Sequence, residues 1–198
     1  RLRDMLEADK TGCCMVAGEG SPAFPQRMQA ELDFLRSSPN GQQMLAEFDK
    51  AAAGNGNSVT IRELANEQNG YAQTFSSDAD IVNGRPRAGG DVTISYNPSF
   101  HMDAFPAPVV VLYHEMSHAY NGVNGTFQPG TYRGTGPDSG NVPNAERQAV
   151  GLETSAPAFD FDGDPATPAT TANPDHLTEN GIRAELGLPD RPSYTIEF

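Results

Sequence analysis

The chain has 198 residues and a formal net charge of −13, enough length for one ordinary domain with its own core. Hydrophobic residues make up 37% and charged residues 20%, which excludes disorder throughout. The acidic excess argues against nucleic acid or a membrane surface as partner, since both are recognised through Lys and Arg, and it suggests a cleft suited to basic peptide.

The 20 glycines and 16 prolines imply many turns and long loops. Cys13 and Cys14 are adjacent, so they cannot staple separated parts of the fold, and they read as small reduced hydrophobes. The most apolar stretch, Ala104 to Tyr113, is about half a membrane span and carries two prolines, so no transmembrane helix is expected. A start at Arg1 without a signal-like segment reads as a fragment whose targeting region is missing.

In chain order, residues 1–56 read as a helical preface and residues 57–198 as the core region, together one domain. In the preface Met28, Leu32 and Leu35 recur at helical spacing, as do Met44, Leu45 and Phe48 after the Ser37–Gly41 turn. Val59 and Ile61, then Val92, Ile94 and Tyr96, alternate with polar residues as strands do, which implies a small sheet. The strand Thr93 to Tyr96 is a candidate edge for pairing with an extended substrate. The strongest helix runs from about Ala107 to Val123, with a core stripe of Val109, Leu112, Met116 and Ala119. A Gly- and Pro-rich loop follows from Asn124 to Pro143, then a helix from Asn144 to Glu153. After a second polar loop, Ala156 to Pro174, a last helix is expected from Pro174 to Leu188.

The strongest helix carries His114-Glu115-Met116-Ser117-His118. Histidines at i and i+4 lie on one face about 6 Å apart along the axis, so both imidazoles can reach one zinc ion while Glu115 flanks the open position as a general base. They sit with Val111, opposite the core stripe. Two of the chain's 4 histidines occur at this spacing, which makes coincidence a poor explanation.

One protein ligand remains to be found. A third histidine in the extended zincin pattern is excluded by Asn121 and Asn124, and an aspartate after Gly125-Thr126 by Gln128. A carboxylate on a second helix remains. Glu146 shares a helical face with Ala149 and Val150, so its carboxylate would point among apolar neighbours, tolerable only if paired or bound to metal. Glu153, two turns further, is the alternative ligand or a partner orienting a histidine. Asp160, Asp162 and Asp164 read as a solvated acidic loop, because their spacing departs from a calcium loop. His101 and His176 read as ordinary loop or helix-end histidines.

Val109 to Asn121 around His114-Glu115 and His118, Asn144 to Leu152 around Glu146, and Glu179 to Tyr194 together resemble the NleD-type zinc metallopeptidases, type III secreted effectors of Gram-negative bacteria. The resemblance runs from about Asp91 to Tyr194. The order of His-Glu-x-x-His, a distant glutamate and Arg-x-x-Tyr is also similar to the light chains of clostridial neurotoxins. The resemblance implies an α+β, zincin-like fold with a small mixed sheet and an active-site helix. It implies a secreted zinc endopeptidase acting in the host cytoplasm on specific host proteins, with mitogen-activated protein kinases as the substrate class of the best-known relatives; the sequence leaves the oligomeric state open, with a monomer expected. His114, His118 and Glu146 would hold Zn2+, with Glu115 catalytic. Arg191 and Tyr194 would stand near the scissile carbonyl and stabilise the oxyanion. The competing class is a metal-containing binding module that sequesters a host protein without cutting it.

Overall fold

A computed structural model describes residues 7–8, 14–18, 20–64 and 70–196. Helix α1 spans Phe24–Ser37 and buries Phe24, Met28, Leu32 and Leu35, the apolar positions spaced to share one face. Ser38 accepts a hydrogen bond from the Gly41 amide and so caps α2, Pro39–Asn55, which buries Met44, Leu45, Phe48 and Ala51. The two helices pack on each other, and α2 also lies against the helix that carries His114 and His118. The preface is not purely helical. Residues 7–8 and 14–16 are strands, and the second of these joins the main sheet directly. Cys14 is buried there and is disulfide-bonded, which corrects the expectation of a reduced thiol; Cys13 lies outside the described residues.

The sheet comprises β1 (Glu7–Ala8), β2 (Cys14–Val16), β3 (Val59–Glu63), β4 (Gly70–Thr74) and β5 (Val92–Tyr96), in the order β1-β2-β3-β5-β4. β2, β3 and β5 run parallel, while β1 and β4 are antiparallel to their neighbours. The architecture is therefore α+β with a mixed sheet. The candidate edge Thr93 to Tyr96 is corrected: β5 is paired on both sides, with Ile94 opposite Ile61 on one and Ala72 on the other. Its Val92, Ile94, Ser95 and Tyr96 are all buried, as suits an interior strand. The described edges are β1 and β4, and the sequence of β4, Gly-Tyr-Ala-Gln-Thr, carries little apolar signal.

Helix α3, Pro108–Asn124, packs on β4 and β5 and is flanked by α2 and by the two short helices that follow it. Every residue from Val110 to Val123 is buried. The separation into a core stripe and a chemical stripe is thus corrected, since the histidine face is buried too, beneath the later chain. Burying a side chain such as Leu112 or Met116, both 0% exposed, contributes about 1.5–3 kcal/mol. That packing fixes the helix on which the histidines stand.

Helix α4, Asn144–Val150, ends earlier than expected because Gly151 takes φ 98°, a left-handed conformation that stops the helix. Polar contacts seat it against α3. Gln148 donates to Asn173 Oδ1 at 3.0 Å, and Asn173 and Asn121 exchange two hydrogen bonds of 2.8 and 2.9 Å. The expected single helix from Pro174 to Leu188 is a short 3-10 turn, Asp175–Leu177, followed by α5, Glu179–Glu185. Thr178 breaks the two apart with extended backbone and caps α5 by accepting from the Gly181 amide. No helix of the described residues is long and apolar enough to cross a membrane.

Candidate metal centre

His114 and His118 stand one turn apart on α3, and their rings meet edge to face with centroids 4.8 Å apart. Glu146 comes from α4, and its Oε2 lies 3.0 Å from His114 Nε2 and 3.1 Å from His118 Nε2. One ligand atom from each residue falls within a 4.8 Å cluster that could hold a metal ion. Two imidazole nitrogens and one carboxylate oxygen are the donor set of a three-ligand catalytic zinc site with an open position.

The electrostatics favour a cation. Burial opposes a charge on His114, but Glu146 and Glu179 outweigh it and raise its pKa to about 10. Burial likewise opposes ionisation of Glu146, and the two histidines overrule it and hold its carboxyl far below the usual range. The residues present fit a divalent metal by their donor set, since two imidazole nitrogens and a carboxylate oxygen converge within 4.8 Å.

Glu179 is the residue that sequence reasoning missed. It sits at the start of α5, 0% exposed, with Oε1 2.8 Å from His114 Nδ1. That contact orients the ring and leaves Nε2 for the cluster. Arg183 donates to its Oε2 at 2.7 Å and Arg191 to its Oε1 at 2.8 Å, so the buried carboxylate is satisfied on both oxygens. Burial would raise its pKa, yet these partners hold it down at about 2. The sequence signal that could have found it is the Glu179/Arg183 pair at i and i+4. Glu153, by contrast, is exposed, and only its backbone carbonyl is engaged, by Arg147.

Glu115 is 7% exposed and lines the same cleft. Burial pushes its carboxyl up, against the pull of His118 and His114 and a hydrogen bond from the Ala72 backbone of β4. Gly70 keeps this end of β4 open: a Cβ there would lie 2.9 Å from the Ser95 carbonyl oxygen and 3.6 Å from Glu115 Cγ.

Tyr194 and Arg191 both line the cleft, but in different ways. The Tyr194 ring lies 6.1 Å from that of His114, and burial together with the Glu146 charge pushes its phenol up to about 12. Arg191 donates through Nη1 to Glu179 and through Nη2 to the Tyr194 carbonyl at 2.5 Å. Each terminal nitrogen thus makes one bond, to Glu179 or to the Tyr194 backbone, while the side chain lines the cleft.

The cleft encloses about 750 Å³. Among the described residues its carboxylates are Glu115 and Glu146, and Met102, Phe105, Val111, Phe127 and Val142 supply apolar lining. The expectation of an acidic groove for basic peptide does not match this lining, which among the described residues also carries Arg191. His101 is exposed, and His176 is engaged through its backbone carbonyl by the Tyr113 hydroxyl. Asp160, Asp162 and Asp164 are exposed and accept from their own loop at Gly163, Asp164 and Ala166.

Fold and site together define an α+β protein with a His-His-Glu cluster able to hold a metal beside a mixed sheet. The chain belongs to the peptidase M91 family of effector proteins, whose pattern matches residues 14–194. The likeness thus reaches back across α1 and α2. No curated protein matches the chain.

Proposed function

We propose that the protein is a zinc-dependent endopeptidase that acts on a host protein after secretion. The observation that carries this reading is the convergence of His114, His118 and Glu146 at one point, next to the buried carboxylate of Glu115, in a chain of a peptidase family.

Zinc held by these three residues would lower the pKa of a coordinated water to about 7 and polarise a peptide carbonyl. Glu115 accepts the proton of the attacking water at its carboxylate and returns it to the leaving amine, a role for which burial and a raised pKa suit it. The Tyr194 hydroxyl donates to the oxygen on which negative charge develops. Arg191 and Glu179 keep the Tyr194 backbone and the His114 ring in place. An extended substrate adds alongside β4, which brings it past Gly70 and Glu115, and the apolar lining takes its side chains next to the scissile bond.

The test is incubation with host-cell lysate followed by mapping of new peptide termini, wild type beside Glu115→Gln. New termini from wild type alone are expected; termini produced equally by both proteins, or by neither, contradict the proposal.

A further inference from the structure

Asp138 lies in the Gly- and Pro-rich loop before α4, in the run Gly134-Thr-Gly-Pro-Asp-Ser-Gly140, where it reads as a turn residue. It is nevertheless 0% exposed. Its Oδ2 accepts from the Tyr194 amide at 2.8 Å and from Arg147 Nη1 at 2.5 Å, and its Oδ1 accepts from the Thr195 amide at 2.8 Å. Arg147 directly follows the cluster residue Glu146. Its Nε donates to the Glu153 carbonyl at 2.8 Å, and its guanidinium stacks 3.7 Å from the centre of the Tyr132 ring. One carboxylate therefore ties three pieces of chain together: its own loop, α4, and the segment that carries Tyr194.

The opposite side of the Tyr194 residue is also held, by the Arg191 bond to its carbonyl. Arg191 in turn reaches Glu179, which reaches His114. The chain of contacts closes on itself: from His114 through Glu179, Arg191, Tyr194, Asp138 and Arg147 to Glu146, and back to His114 across the cluster. Hydrogen bonds to an ionised carboxylate are about twice as strong as neutral ones, so Asp138 is the strongest polar hold on the Tyr194 N–H side. Its own charge is stabilised there, because the two amides and Arg147 outweigh burial and keep its carboxyl below the ordinary value.

We propose that Asp138 is a positioning residue for the reaction, latching the backbone of Tyr194 and Thr195 to α4 so that the Tyr194 phenol stays over the metal cluster. This rests on the proposed role of Tyr194 in peptide cleavage. Asn in place of Asp138 keeps the shape but offers one acceptor oxygen and no charge to three donors, so the latch loosens while the zinc ligands stay.

The first arm is amide exchange and needs no substrate. In the wild type, the amides of Tyr194 and Thr195 exchange with solvent at least about a hundredfold more slowly than in an unstructured chain, and Asp138→Asn removes most of that protection without altering α3. Fast exchange of both amides in the wild type, or unchanged exchange in the variant, overturns the latch whether or not the protein is a peptidase. The second arm is kinetic. Asp138→Asn lowers kcat about tenfold with KM within about twofold and with full zinc content, and it costs less than about twofold further in a Tyr194→Phe background. An undiminished kcat, or the same tenfold loss in both backgrounds, overturns the positioning role. A wild type that cleaves nothing removes the peptidase reading and the positioning role with it, while the exchange arm still reports on the latch.

Discussion

Helix α3 and the chain from Asp175 to Ile196 meet at His114 and are built in opposite ways. α3 is one unbroken helix of 17 residues, buried on every side from Val110 to Val123 and held by apolar packing. The later segment consists of a three-residue turn, a seven-residue helix and an irregular run; Leu177 and Ile182 anchor it in the core, and single polar contacts hold the groups around His114. Glu179 binds His114, Arg183 and Arg191, and Asp138 binds the amides of Tyr194 and Thr195. The contrast teaches a division of labour. Packing gives the ligands a rigid platform, whereas charge-assisted bonds set the orientation of the groups that tune it.

If that division is right, substitutions in the two regions should separate chemistry from stability. The largest effect expected in the tail is that of Tyr194→Phe. It should lower kcat by about 10² to 10³ with little change in KM and an unchanged melting temperature, as steady-state kinetics and calorimetry would show. A raised KM with full kcat would place the phenol in substrate binding instead. On the other side, Leu112→Ala should destabilise the fold by about 2–5 kcal/mol in denaturant unfolding while the folded fraction keeps its kcat. Equal damage to both quantities would break the comparison.

Glu179→Gln should act between these, weakening zinc affinity by about 10- to 100-fold through loss of orientation at His114, as read by competition with a chromogenic chelator. The smallest expected effect lies far from the cluster, at Glu31 on α1. Burial raises its pKa to about 7, with its carboxylate accepting a bond from the Tyr96 hydroxyl at 3.0 Å. The folded protein holds this proton more tightly than the unfolded chain, so the contribution is fully present below about pH 4.5 and is lost as pH rises through 7. Glu31→Gln should therefore flatten the fall in stability between pH 5 and pH 7 by about 1–2 kcal/mol, with no change in the pH dependence of zinc binding.

Periodicity exposed what packing builds. The faces of α1 and α2, the extent of α3 and the strands β3 and β5 follow from apolar spacing, and the His-Glu-x-x-His run announces its own geometry. β2 and β4 were not legible, since Cys14–Val16 is short and Gly70–Thr74 has few apolar residues; both become strands by pairing with distant partners. The same long range hid Glu179, which lies 65 residues from His114, and Asp138, whose neighbours suggest only a turn. The break at Thr178 was legible in principle, because a threonine before Glu179 is a helix-capping signal. The edge strand was misassigned because alternation marks a strand and says nothing of its place in the sheet.

The most direct measurement is the metal content of purified protein, with Glu146→Ala and Glu153→Ala beside the wild type. One zinc per wild-type chain is expected, kept by Glu153→Ala and lost by Glu146→Ala. Full zinc in Glu146→Ala, with loss in Glu153→Ala, would contradict the His114, His118 and Glu146 centre.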